Sequence, residues 1–300
     1  MTADQSAPLF LVGTGRCGST IVYSCLAMHP DLAWIPSWLT TAPRWPVLAA
    51  ANRFWELPGT DRWREARFFP KPVEPNTVWE RWVPEFHRED ARPDAVAQTQ
   101  ATLVPLVDRV KRYHGKPRYL GKLVGRPVKI ELLASVFPEA RFVHVTRDLK
   151  PTVSSLLLVD FFQNNAPLER WPWGTIPEAL LDFYRANGSA QEVAAAITVV
   201  LNRVEVERQL GRLASDRWIE VSYTGFIGRP IEEMRRICRH ADLSIDERFE
   251  QRIQGREIHG GDDRKWARHL TAEQVARLDA FEPLAADVLR DRPVLTAVPR

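Results

Sequence analysis

The chain has 300 residues, 45% hydrophobic and 26% charged, which is a globular composition long enough for a substantial core and wrong for a disordered or fibrous protein. The net charge is +3, from 41 Lys and Arg against 38 Asp and Glu, too balanced for a protein that coats nucleic acid. Any anion site must therefore be local. Three cysteines, Cys17, Cys25 and Cys238, are too few for a disulfide scaffold and form no metal-binding pattern with histidine. No apolar run reaches the roughly 18–20 residues of a membrane span, and residues 1–8 lack the basic region of a signal peptide. The expectation is a cytoplasmic protein, with peripheral membrane contact and oligomeric state left open.

The first strong signal in chain order is the apolar run at residues 8–12, which reads as a buried parallel strand. It enters a glycine-rich loop, residues 13–20, and then a helix carrying Ile21, Val22, Cys25 and Leu26 on one face, stopped by Pro30. Residues 31–93 hold seven of the eleven tryptophans and show no clean periodicity, which predicts an irregular, aromatic-filled cap. Its rings could line an acceptor pocket, stacking on a sugar or holding a lipid tail, as could Trp171 and Trp173. A helix follows at residues 95–113, a strand at 118–124, a short helix from Ile130 to Phe137 and a second buried strand at 141–146. Pro151 opens a helix through Leu158. Residues 189–214 keep a helical period with Val193, Ile197, Val200, Leu201, Val204 and Leu210 on one side, predicting an amphipathic helix. A strand at 218–222, a helix at 230–241 and a last helix opened by a capping box at Thr271 and Gln274 complete the chain. Alternating strands and helices imply an α/β fold: a P-loop-like parallel sheet flanked by helices, with a Trp-rich irregular or helical cap insertion. The whole chain, 1–300, reads as a single domain, with residues 31–116 as a cap on the acceptor side.

Successive backbone N–H groups in a glycine-rich turn ahead of a helix make a concave anion cradle. Gly13, Gly15 and Gly18 let the backbone approach a phosphate, Arg16 adds a forked cation, and Ser19 and Thr20 add hydroxyls. The spacing of Gly13 and Gly18 matches a Walker A loop, yet Ser19 stands where a P-loop NTPase needs lysine. Arg147 closes the strand at 141–146, and Ser155 lies eight residues on, two turns into the next helix. Ligands of open α/β sheets bind beyond the carboxyl ends of the strands, so Arg147 is expected to face the same crevice as the loop. A bidentate cation and a hydroxyl suit a phosphate.

Together these motifs resemble the nucleotide site of the sulfotransferases that use 3′-phosphoadenosine 5′-phosphosulfate (PAPS), in a bacterial branch. The resemblance runs through Phe137-Pro-Glu-Ala-Arg-Phe to Arg147-Asp148 and Ser155, and covers the chain from residue 8 to about 290, loosely over 31–116. It implies that Gly15, Arg16, Cys17, Gly18, Ser19 and Thr20 hold the 5′-phosphosulfate and that Arg147 and Ser155 hold the 3′-phosphate. Tyr223 would lie by the adenine, and Arg264, Lys265 and Trp266, in Asp263-Arg-Lys-Trp266, would close over the 3′-phosphate. Lys122 resembles a lysine that reaches the bridging region; the plain alternative is a solvated surface lysine. Departures are Arg16 in place of lysine, Cys17 in place of serine, and Thr224-Gly225 after Tyr223 in place of Glu-Asp.

The reaction implied is metal-free, in-line sulfuryl transfer to a hydroxyl of a small-molecule, glycan or lipid acceptor, with Arg16 and Lys122 stabilising developing charge. Glu74 is the preferred general base over Asp160 and His114, because family members with arginine in the loop tend to draw a glutamate from a nearby segment. Cys17, beside Arg16 and a helix N-terminus, is expected to have a lowered thiol pKa and to contribute only its N–H. His144 alternates with Val143 and Val145 and reads as a hydrogen-bonded core histidine. Competing readings are a P-loop kinase and a non-catalytic nucleotide- or lipid-binding protein.

Overall fold

The apolar runs expected to be strands pair in parallel into one sheet. In chain order the strands are β1 (Leu9–Gly13), β2 (Leu32–Ala33), β3 (Arg118–Val124), β4 (Arg141–Thr146) and β5 (Trp218–Ser222), arranged β2-β3-β1-β4-β5. From β1 the chain builds outward to β2 and β3 on one side, and later to β4 and β5 on the other. The order therefore reverses at β1, which makes its carboxyl end the topological switch point where α/β sheets bind ligands. The glycine-rich loop begins there. The computed structural model describes residues 7–57, 59–60, 63, 66–83, 93–124, 129–163, 168, 171, 174–255, 258 and 265–295.

The helices are α1 (Ser19–Leu26), α2 (Ser37–Thr41), α3 (Asn76–Trp82), α4 (Pro93–His114), α5 (Ile130–Val136), α6 (Leu149–Leu157) and α7 (Asp160–Gln163) in the first half. The second half has α8 (Glu178–Ala186), α9 (Gln191–Leu210), α10 (Tyr223–Gly228), α11 (Pro230–His240), α12 (Glu247–Gln254), α13 (Trp266–His269) and α14 (Ala272–Asp291). The α/β expectation holds. Residues 31–93 are less irregular than their composition suggests: they supply an edge strand, two short helices and a 3-10 helix at Pro46–Glu56.

β1 is buried on both faces, which explains its unbroken apolar run. Leu9 and Leu11 face α1, α10 and α11 with Val143 and Val145 of β4. Phe10 and Val12 face α4, α5 and the end of α9. Phe10 stacks on Phe142 at 5.7 Å between centroids and meets Tyr119 edge-on at 6.1 Å. Its neighbour across the sheet is Gly121, where a Cβ would stand 2.5 Å from the Phe10 ring. Glycine is what lets that ring lie flat on β3.

α9 departs from its amphipathic pattern. It is covered by the sheet on one side and by α6 and α14 on the other, so its polar stripe is buried and must be paired. Glu192 meets Arg277 at 2.7 Å, Glu205 meets Arg208 at 2.6 Å, and Glu207 meets Arg203 at 2.7 Å and Arg292 at 3.1 Å. Gln209 Oε1 accepts from the backbone N–H groups of Ile130 and Glu131, capping α5. The capping box of α14 forms as expected, Gln274 N–H donating to Thr271 Oγ1 at 3.2 Å and Thr271 N–H to Gln274 Oε1 at 2.9 Å. α6 starts at Leu149, two residues before Pro151, with Asp148 as its N-cap residue.

His144, expected to be hydrogen-bonded in the core, is buried, but neither ring nitrogen has a hydrogen-bond partner. The β4 side chain stands between the sheet and α9, where Arg203 and Arg292 are already committed to Glu207. Burial, then the charges of Arg203 and Arg292, push its pKa down to about 3. Burial also lowers His114 to about 3 and His240 to about 4. An unfolded chain takes up these protons near pH 6.5, whereas the folded one refuses them until pH 3–4. The stability is complete above pH 6.5 and is lost as pH falls toward 4, by up to about 1.4 kcal/mol per pH unit for each histidine. Urea unfolding between pH 7 and 4 should show this decline, with a shallower slope for His144→Gln.

Candidate active site

Residues 13–20 connect β1 to α1 as a tight turn. Cys17 N–H donates to Thr14 O at 3.4 Å, and Ile21 N–H to Gly18 O at 3.2 Å. Arg16 adopts a left-handed conformation (φ 66°), uncommon for a residue with a side chain, and Gly18 another (φ 85°) as the N-cap residue of α1. Alternating left- and right-handed residues turn successive N–H groups inward, the geometry of an anion nest. At Gly18 a Cβ would stand 2.1 Å from the Tyr223 ring, so glycine is required both by φ and by that ring.

Four expected site residues converge here. Arg16 Nε donates to Ser155 Oγ at 2.9 Å, which ties the loop to α6. Arg147 Nη1 donates to Arg16 O at 3.5 Å. The Arg147 guanidinium lies over the Tyr223 ring, 4.4 Å from its centroid, a cation–π contact that fixes both. Loop, β4 end, α6 and the start of α10 thus meet around two guanidiniums and one hydroxyl.

A second group stands on the β3 flank of β1. Lys122 Nζ donates to Thr20 Oγ1 at 3.0 Å and lies 4.0 Å from Glu74 Oε2. Glu74 Oε1 accepts from Val124 N–H at 3.1 Å, past the β3 register that pairs Lys122 with Leu11. Lys122 is only 5% exposed, which removes the surface-lysine alternative. Burial lowers its pKa, opposed by the Glu74 carboxylate. A desolvated ammonium beside one carboxylate is an electrostatic position that an incoming anion would improve.

The remaining expectations divide. Ser19 is buried at the start of α1 and Gly15 half-buried in the loop. Trp266 opens α13, which packs on α6, with Lys150 Nζ 5.8 Å from its ring centroid, while Lys265 is exposed beside it. Arg264, Asp263 and Trp173 lie outside the described residues. Asp160 begins α7 with an exposed side chain. His114 is engaged with Asn52 at 3.3 Å and stands edge-on to Trp34 at 5.4 Å.

Cys17 requires a correction. Its thiol is fully buried, and burial raises its pKa, outweighing the hydrogen bonds to Ser19 and the Lys122 charge that lower it. Proximity to a helix N-terminus is visible in sequence; the side chain turning into the core is not. Among the described residues, His144, Glu207 and Glu220 bring one ligand atom each within 4.8 Å of one another. Two arginines already ion-pair with Glu207, so this cluster is electrostatically neutral rather than built for a cation.

Residues 8–247 match the model of a family described as the sulfotransferase family. No curated protein matches significantly. Among solved structures, sulfotransferase STF9 from Mycobacterium avium aligns over 99% of this chain and 79% of its own, at 19% identity and a TM-score of 0.59. Sulfotransferase STF1 from Mycobacterium tuberculosis aligns over 84% of this chain and 72% of its own, at 17% identity and a TM-score of 0.50. These likenesses bear on the fold.

The raised Cys17 pKa predicts that the thiol resists iodoacetamide at pH 8 in the native protein and is alkylated at once after unfolding in urea. Peptide mapping by mass spectrometry reads the difference, and rapid native alkylation at Cys17 would contradict it.

Proposed function

The chain belongs to the sulfotransferase family, and we propose that it moves the sulfuryl group of PAPS to a hydroxyl of a small-molecule, glycan or lipid acceptor. The observation that carries this reading is the convergence of Arg16, Arg147, Ser155 and Tyr223 on the β1 loop. The loop offers N–H groups and hydroxyls but no lysine at Ser19. We read residues 1–300 as one sulfotransferase-like domain, with 31–116 on the acceptor side.

The donor set suits a nucleotide phosphorylated at both ends. Arg16, Arg147 and Lys122 face the loop with Glu74 as the nearby carboxylate, and their positive charge calls for anionic oxygens. Arg147 and Ser155 would hold a 3′-phosphate. Residues 15–20 would hold the 5′-phosphosulfate, Tyr223 would support the adenine, and Arg264, Lys265 and Trp266 would close the site. PAPS, when bound, supplies an activated sulfuryl group and a 5′-phosphate that leaves with added negative charge.

The chain's own groups then have separate tasks. The loop N–H groups and Arg16 stabilise charge growing on the departing oxygen. Lys122, held by Thr20 beside Glu74, would supply positive charge to the bridging side of the bound donor. Glu74 is fixed by Val124 N–H and accepts the acceptor's hydroxyl proton. No metal is required by these roles, since cations and amides cover the charge that moves.

A thermal-shift comparison of adenosine 3′,5′-bisphosphate with 5′-ADP plus Mg²⁺ tests the reading. At a hundred times its Kd the bisphosphate should add about 2.7 kcal/mol of stability. A shift with Mg-ADP alone would put a kinase in its place. Arg147→Ala should weaken bisphosphate binding roughly 10- to 150-fold, the loss of a charge-assisted hydrogen bond worth about 1.5–3 kcal/mol. Glu74→Gln should lower kcat by about 10²–10⁴ while bisphosphate affinity stays nearly constant; unchanged kcat would remove Glu74 from the proton transfer.

A further inference from the structure

Apart from the loop crevice, the described surface holds a cleft of about 410 Å³ bounded by Trp38, Phe54, Thr60, Trp63, Phe68 and the Phe69–Pro70 step. Phe54 is 46% exposed, Trp63 45% and Phe68 63%, an unusual concentration of open aromatic rings on a globular surface. Polar atoms around the cleft are turned away from it. Trp38 Nε1 donates to Phe68 O at 2.9 Å, and Thr60 Oγ1 to Phe54 O and Leu57 O at 2.9 and 2.8 Å. A sugar, whose recognition needs hydrogen bonds, would find ring faces and few donors; a hydrocarbon chain loses nothing there.

The cleft is also joined to the candidate chemistry. Its floor at Pro70 is pinned where Lys71 N–H donates to Ser37 Oγ at 3.1 Å and Pro36 bridges Pro72. Four residues on from Pro70 stands Glu74, facing Lys122. Four residues of chain span at most about 14 Å. The opposite wall is tied to the same place by Thr77 Oγ1 donating to Thr40 O at 2.7 Å, just beyond Trp38.

We propose that this cleft binds the hydrocarbon chain of an amphiphilic acceptor whose hydroxyl reaches Glu74. The proposal rests on the sulfuryl-transfer reading and narrows its acceptor to an alkyl-chain alcohol or a lipid bearing a hydroxyl, taken up as a single molecule.

Straight-chain primary alcohols, hexanol, octanol and decanol, titrated against the full chain by tryptophan fluorescence, test it. Each added methylene should lower Kd about fourfold. Phe54→Ser and Phe68→Ser, at rings too exposed to support the core, should each raise the decanol Kd about tenfold and leave bisphosphate affinity unchanged. With PAPS present, the same variants should raise KM for decanol and spare kcat. Affinity that is independent of chain length, or untouched by both variants, would overturn the proposal. So would binding to phosphatidylcholine vesicles without binding of free alcohol, which would mark a membrane-facing patch. Bisphosphate binding without chain binding overturns the cleft alone. Chain binding without bisphosphate binding overturns the sulfuryl-transfer reading and the acceptor assignment with it.

Discussion

The stack of Arg147 on Tyr223 joins three strand ends that would otherwise be independent. Arg147 closes β4, Tyr223 follows β5 directly, and the loop after β1 is reached through the bond from Arg147 to Arg16 O. Gly18 stands against the same ring, so the loop's left-handed turn is set by a contact with the residue that follows β5 as well as by its own glycines. A side chain at Gly18 would displace Tyr223, and with it the face on which Arg147 rests. The arginine is thereby held by a ring face and by a backbone carbonyl of the loop, which fixes its position before any ligand arrives.

The strand ends meet because of the sheet order. With β1 central and β3 and β4 on either side, side chains beyond each strand converge over the carboxyl edge. β3 contributes Lys122 from within the strand rather than beyond it, and the side chain reaches Thr20 on the first turn of α1. The two cationic groups therefore flank the helix N-terminus, whose partial positive charge adds to theirs.

Much of this was legible in the residues, for a definable reason. β1 is buried on both faces and leaves an unbroken apolar run, and the candidate site positions follow the strands at fixed offsets: residues 13–20 after β1, Arg147 after β4, Tyr223 after β5. Backbone geometry carries such offsets into space with little help from side chains. What the sequence hid depends on which way a side chain turns. Cys17 has the neighbours of a reactive thiol, yet it points into the core and burial decides its pKa. His144 alternates with valines as a core residue should, but only the fold shows that neither nitrogen finds a hydrogen-bond partner and that the nearby arginines are already engaged. α9 reads as an amphipathic helix, and its polar stripe is buried because α6 and α14 close over it. Short capped helices such as α10 and α12 left too few turns for a periodic signal, although Asp246 caps α12 at 2.6 Å.

The tryptophans of residues 31–93 show how one composition serves two purposes. Trp34 and Trp79 are fully buried and spend their N–H groups on Ala27 O and Lys122 O, so they belong to the core and to the shelf beneath Lys122. Trp38 spends its N–H on Phe68 O while leaving a ring face open. Once its donor is satisfied internally, an exposed indole presents only apolar area, and the cleft gains binding surface with no polar group that a hydrocarbon would have to desolvate. Trp79 links the two uses: its ring lies 6.5 Å from Phe10 of the central strand while its N–H holds the backbone of the lysine that faces Glu74. The same aromatic segment therefore packs against the central strand, holds the backbone of Lys122, and opens toward solvent four residues before Glu74.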